Sequence, residues 1–118
     1  MKKLVFCLFV FFNSLIAINA SENEVNKLWC IKNNGEEQFR TKDRTFVDCI
    51  TEDYAIEAEY DYNWKEAIGQ SLHYAESTNK RAGILFIKRA KSNKDYYGEL
   101  MRVIEKFHLP ITVFVINE

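Results

Sequence analysis

Proline, histidine and cysteine are scarce in this chain: its 118 residues include one proline, two histidines and three cysteines. The single proline is Pro110, and no internal repeat, low-complexity tract or linker breaks the sequence, so its elements are expected to follow one another closely. His73 and His108 are far apart, and neither Cys30 nor Cys49 has a ligand-spaced partner, which argues against a zinc site. No serine or cysteine has a base partner that would make it a nucleophile. A membrane anchor is the lesser reading of the longest apolar run, Leu4 to Ile16, which is about thirteen residues where a spanning helix needs about twenty.

That run has a different reading. Lys2 and Lys3 precede it and Ala17-Ile18-Asn19-Ala20 closes it with small residues, the pattern of a secretory signal peptide over residues 1–20 cut after Ala20. The next residue is Ser21, not the cysteine of a lipoprotein. The expected product is a single exported domain, residues 21–118, periplasmic or secreted and without a membrane anchor. It carries fourteen Lys and Arg against seventeen Asp and Glu, which excludes a basic protein that coats nucleic acid. Loss of Cys7 leaves Cys30 and Cys49 as an even pair in an oxidising compartment. They either close a loop of about 20 residues, contributing roughly 3 kcal/mol, or stay as two buried thiols; geometry decides.

Periodicity predicts a helix from Glu22 to Ile31, with Val25, Leu28 and Trp29 at helical spacing and Gly35 suited to a left-handed end after Asn33-Asn34. Three β-prone stretches follow, Glu37 to Thr41, Thr45 to Ile50 and Tyr54 to Tyr60, and read as an antiparallel meander. Asn63 can cap a helix from Trp64 to Glu76, on which Trp64, Ile68, Leu72 and Ala75 share a face. The apolar run Gly83 to Lys88 is a buried strand, and Tyr96 to Phe107 an amphipathic helix with Leu100, Val103, Ile104 and Phe107 inward. Ile111 to Ile116 is a second interior strand. The order is α-β-β-β-α-β-α-β, an α/β (α+β) chain with a mixed sheet and flanking helices.

Candidate chemistry lies in polar residues that this fold does not need. Strand alternation puts Glu57 and Glu59 on one face with Ala55, and turns Asp48 away from Val47 and Cys49. Where the strand register brings Asp48 to Glu57, three carboxylates converge, an oxygen-only set suited to Mg²⁺ or Mn²⁺. On the following helix, Gln70 lies roughly 20° from Asn63 and roughly 40° from Glu66 and Tyr74, one polar stripe. Lys65 lies roughly 140° from Gln70, on another side.

An acid on one strand, an acid-x-residue motif on the next and a helix with Gln-x-x-x-Tyr together resemble the PD-(D/E)XK, or restriction-endonuclease-like, superfamily. The carrying segments are Val47-Asp48-Cys49-Ile50-Thr51, Ala55-Ile56-Glu57-Ala58-Glu59 and Trp64-Lys65-Glu66-Ala67-Ile68-Gly69-Gln70-Ser71-Leu72-His73-Tyr74. They are similar in particular to small, mostly uncharacterised bacterial members, and the likeness covers roughly Cys30 to Ile87. The resemblance implies that fold and a metal-dependent nuclease or phosphodiesterase, with Asp48, Glu57 and Glu59 on Mg²⁺ or Mn²⁺ and Gln70 and Tyr74 completing the catalytic set. Its partner would be nucleic acid or another phosphodiester. The chain departs from the pattern where the family usually has lysine, two positions after the second acid: Glu59 stands there, and the helix start offers Asn63, an amide without charge.

The blander readings are solvent-facing strand acids, a Gln70 and Tyr74 that bind main chain at the sheet edge, a surface Glu66, a solvated His73, and core roles for Trp29 and Trp64. Lys88, Arg89, Lys91 and Lys94 read as a solvated loop that in a nuclease would hold phosphates. The alternative function is a non-enzymatic envelope or secreted binding module, an effector or inhibitor, with Tyr60, Tyr62, Tyr96 and Tyr97 as an aromatic contact surface.

Overall fold

A computed structural model describes residues 21–118, so the expected signal peptide over residues 1–20 lies outside the described residues. The elements are α1 (Glu22–Lys32), β1 (Glu36–Arg40), β2 (Phe46–Ile50), β3 (Tyr54–Tyr60), a short 3-10 turn (Asp61–Asn63), α2 (Trp64–Thr78), β4 (Arg81–Lys88), α3 (Tyr96–Lys106) and β5 (Ile111–Asn117). This is the α-β-β-β-α-β-α-β order expected from the sequence. The five strands lie in the order β1-β2-β3-β4-β5. The first three form the antiparallel meander, while β4 and β5 run parallel to β3.

Alternation along the strands divides the core in two. Ala82, Ile84 and Phe86 of β4 pack with Trp64 and Ala67 of α2 and Leu100 and Ile104 of α3. On the opposite face Leu85 and Ile87 join Ile56 and Ala58 of β3, and Cys30 and Cys49. With Ile56 and Ala58 committed to the α1 face, Glu57 and Glu59 must project on the α2 face. Trp64 is buried as expected, and Trp29 leans on Phe114 with ring centroids 5.2 Å apart. Among the described residues no helix is long and apolar enough to cross a membrane.

Cys30 and Cys49 form a disulfide that ties α1 to β2. The local detail corrects the role expected of Gly35. The left-handed residue after α1 is Asn34 (φ 57°), and no glycine has a positive φ among the described residues. Gly35 is small for another reason: a Cβ there would stand 2.6 Å from Cys49 Sγ and 2.7 Å from Cys30 Sγ. Phe107, expected inward, is exposed just past α3, where the chain already turns through His108 (φ 51°) toward β5, and Leu28 of α1 is exposed as well. Asn63 precedes α2 but makes no side-chain cap; its amide goes elsewhere. His73, expected to be merely solvated, is exposed yet reaches across to Asp43 in the β1–β2 turn (Nε2 to Oδ2, 2.9 Å).

Candidate functional site: a carboxyl cluster at a break in the sheet

Pairing between β2 and β3 runs through Ile50↔Ala55 and Cys49↔Ile56. One more step of this register sets Asp48 against Glu57, and there the regular ladder stops. Asp48 takes over the missing bond with its side chain, Oδ2 accepting the Ala58 N–H at 2.8 Å. Its main-chain oxygen accepts from Asn26 Nδ2 of α1 at 2.9 Å. On the other flank Gln38 sits between the pairs Glu37↔Cys49 and Phe39↔Val47 with φ 53°, a left-handed backbone that an L residue adopts only at a cost. Its side chain also hydrogen-bonds Asp48. Asp48 is therefore held from α1, β1 and β3 at once.

Glu57 forms the centre of the cluster and is 3% exposed. With its amide nitrogen turned inward, Gln70 donates to both Glu57 oxygens, at 2.8 and 3.0 Å. Tyr74 also hydrogen-bonds Glu57, one helical turn further along α2. Gln70 is itself solvent-exposed, so α2 meets the cluster with the edge of its polar stripe. Glu57 bonds the carboxyls of Asp48 and Glu59, and Glu59 bonds the Asn63 side chain, which explains the missing cap. All five residues singled out in the sequence, Asp48, Glu57, Glu59, Gln70 and Tyr74, thus meet in one place.

Each hydrogen bond between two carboxyl groups requires a proton on one of them, and the most deeply buried of the three, Glu57, is the favoured carrier. Burial, then the charges of Asp48 and Glu59, push the Glu57 pKa up to about 10, so Glu57 is neutral at pH 7. Asp48 and Glu59 are raised too, mainly by burial, against hydrogen bonds that favour their charged forms. Burial and the neighbouring Glu57 and Asp48 charges raise Tyr74 to about 12. No ion pair relieves this among the described residues: the pairs there are His73–Asp43, Arg89–Asp61 and Lys94–Glu99. Lys65 lies over the Trp64 ring, 5.7 Å from its centroid, away from the cluster.

Sequence reasoning missed three participants. Glu22, the first residue of α1, is raised to about 7 by burial and by the charges of Glu59 and Asp48. Asn26 and Gln38 hold Asp48. The spacing of Glu22, Asn26 and Cys30, each four apart, is a signal that α1 presents them on one face; nothing in the sequence marks Gln38.

The donor set is entirely oxygen, which suits a hard divalent cation. Among the described residues no three His, Cys, Asp or Glu side chains are arranged as a ligand set. The three-carboxylate set expected from the sequence, Asp48, Glu57 and Glu59, is thus not arranged as a ligand cage; Mg²⁺ or Mn²⁺, keeping most of its water, would need only one or two carboxylates. Asp48 and Glu57 are the two that would hold it.

No protein-family model matches the chain, and no solved structure matches it. Among curated proteins, a viral protein named for a KilA-N domain, L33 of Acanthamoeba polyphaga mimivirus, is 28% identical over 109 residues. The match takes in 88% of this chain and 43% of the viral protein, so the chain spans less than half the length of that relative.

Proposed function

We propose that the domain is a restriction-endonuclease-like phosphodiesterase that takes Mg²⁺ or Mn²⁺ at Asp48 and Glu57 and acts on nucleic acid. The observation that carries this reading is the buried Glu57 carboxyl, enclosed by two further carboxyls with no ion pair to it among the described residues. A protein gains nothing in stability by crowding acids this way, and such perturbed clusters mark functional sites. The element order and the meeting of Gln70 and Tyr74 with Glu57 support the same reading. When bound, the ion would polarise the phosphodiester and lower the pKa of a water. Asp48 is positioned by Asn26 and the Ala58 N–H, Glu57 gives up its proton on loading, and Gln70 can offer its amide nitrogen to a carboxylate or, after a half-turn, its oxygen to a cation. The disulfide supports export to an oxidising compartment.

A second reading, a binding module without turnover, is favoured by Glu59 and Asn63 standing where a lysine would supply charge. The two separate by experiment. Titration with Mg²⁺ and Mn²⁺ should raise Tm, by about 2.7 kcal/mol of stability at 100 times Kd, and Asp48→Ala or Glu57→Ala should abolish the rise. Cleavage of single-stranded DNA or RNA with either ion establishes the enzyme; an ion-dependent Tm with no cleavage favours the binding module, and no Tm response removes the metal site.

A further inference from the structure

Residues 80–106 hold eight Lys and Arg against three Asp and Glu, in a domain that is acidic as a whole. One of these cations is built in rather than merely solvated. Asp61, 1% exposed at the end of β3, accepts from Arg89 Nε at 2.9 Å, from the Arg89 main-chain N–H at 3.4 Å, from the Tyr62 N–H at 2.9 Å and from the Ser92 hydroxyl. Burial opposes the charge, but the Ser92 and Arg89 hydrogen bonds outweigh it and hold Asp61 below the usual carboxylate range. Asp61 is thus a permanent anion that fixes one edge of the guanidinium.

The rest of that guanidinium is available. Its carbon lies over the Tyr62 ring, 4.3 Å from the centroid, and Tyr62 stacks on Tyr60 at 5.9 Å and 14°. The Arg89 side chain keeps 38% of its surface in solvent; its Nη2 makes a long 3.4 Å bond to Ser92, and its Nη1 makes none among the described residues. A planar cation whose orientation is already set and whose Nη1 makes no hydrogen bond among the described residues matches the oxygens of a phosphate.

Its place in the fold relates it to the carboxyl cluster. Strands β3 and β4 are paired in parallel through Tyr60↔Ile87, so Tyr62 and Arg89 leave the sheet side by side at its carboxyl end. Glu57 and Glu59 stand at alternate positions of β3 and Asp61 opens the turn just past its end, so Glu57 and Asp61 are at most roughly 13 Å apart along the chain. From this geometry we infer that Arg89, locked by Asp61 and backed by Tyr62, is a binding subsite for a phosphate of single-stranded nucleic acid passing to the carboxyl cluster. As the substrate-binding part of that cluster it rests on the phosphodiesterase reading, yet binding itself needs no metal. Lys88 and Lys91, both exposed, flank it for neighbouring phosphates.

The test is fluorescence anisotropy of a labelled single-stranded 20-mer against residues 21–118 in EDTA at low salt, with inorganic phosphate as competitor. Wild type should bind saturably. Arg89→Lys, which keeps the charge but not the fork, should weaken binding roughly tenfold, and Tyr62→Leu, at an exposed position, should weaken it as well. Lys32→Ala, a charge loss at the exposed end of α1, should change binding less than about twofold, and Arg89→Ala should lower the slope of log K against log salt by about 1. Circular dichroism melts establish that each variant is folded; Tyr62→Leu carries the test if the Arg89 variants are not. No saturable binding, equal effects of Arg89→Lys and Lys32→Ala, or displacement by free phosphate at concentrations far below those that screen charge overturns the proposal. Saturable binding by wild type with no cleavage once Mg²⁺ or Mn²⁺ is added would overturn the hydrolase reading and leave this subsite standing.

Discussion

Asn26 Nδ2 donates to the main-chain oxygen of Asp48 at 2.9 Å, one helical turn before the disulfide that joins the same helix to the next residue of β2. Helix α1 is therefore fastened to β2 at two successive points, Asn26 to Asp48 and Cys30 to Cys49. The amide is 1% exposed, and its Oδ1 has no partner among the described residues.

Asn26→Ala should leave the Asp48 carbonyl buried and unpaired, at a cost of about 1–3 kcal/mol. Urea denaturation at pH 7 measures it. An effect within about 0.5 kcal/mol, the range of ordinary surface substitutions, would show that the contact does not hold Asp48.

The pH dependence of stability follows from Glu57. Its folded pKa of about 10 lies above the ordinary 4.5, so between those values the unfolded chain releases a proton that the folded chain keeps. The Glu57 contribution is full below about pH 4.5 and is lost as pH rises toward 10. Without divalent ions, Tm should fall across this window. Glu57→Gln, neutral at every pH, should flatten the fall and raise stability at pH 8 by about 1 kcal/mol or more, roughly 4–8 °C. A Tm that climbs between pH 6 and 9 would contradict the buried neutral acid.

Ion binding should be coupled to the same proton. If Mg²⁺ displaces the proton held by Glu57, its affinity should rise with pH, and calorimetry in buffers of different ionisation enthalpy should show net proton release. In Glu57→Gln that release should disappear. Binding without proton release would place the ion elsewhere.

Two glycines should respond oppositely to alanine. At Gly35 a Cβ would press on both disulfide sulfurs and stand 2.9 Å from the Ile50 carbonyl, so Gly35→Ala should cost about 1–3 kcal/mol. At Gly69, on the exposed side of α2, a Cβ would meet nothing within 4 Å, and Gly69→Ala should stabilise by about 0.5–1 kcal/mol. Thermal melts of the two variants suffice, and equal shifts would refute the packing argument.

The elements were legible because periodicity is a local property: β4 reads as a buried strand from its own apolar run, and α3 as a helix from Leu100 and Ile104. Each end was less legible. Phe107 fits the apolar stripe of α3 by spacing but lies past the point where the chain turns, and Asn63 has the chemistry of a cap but finds Glu59 instead. Local pattern cannot weigh a tertiary partner against a local one.

By itself the sequence determined the order of elements, the face on which Glu57 and Glu59 project, and the residues able to form an oxygen-only cluster, since alternation and helical spacing depend only on the backbone. Only the tertiary structure decided that Asp48 stands against Glu57, that Gln70 reaches it from the edge of α2, and that Glu22, Asn26 and Gln38 join them. Those outcomes depend on strand register, a local break in the ladder and the docking of α1, which are set by packing and a disulfide between residues distant in the chain. The neutral state of Glu57 belongs to the same class, because burial and neighbouring charge exist only once the chain has folded.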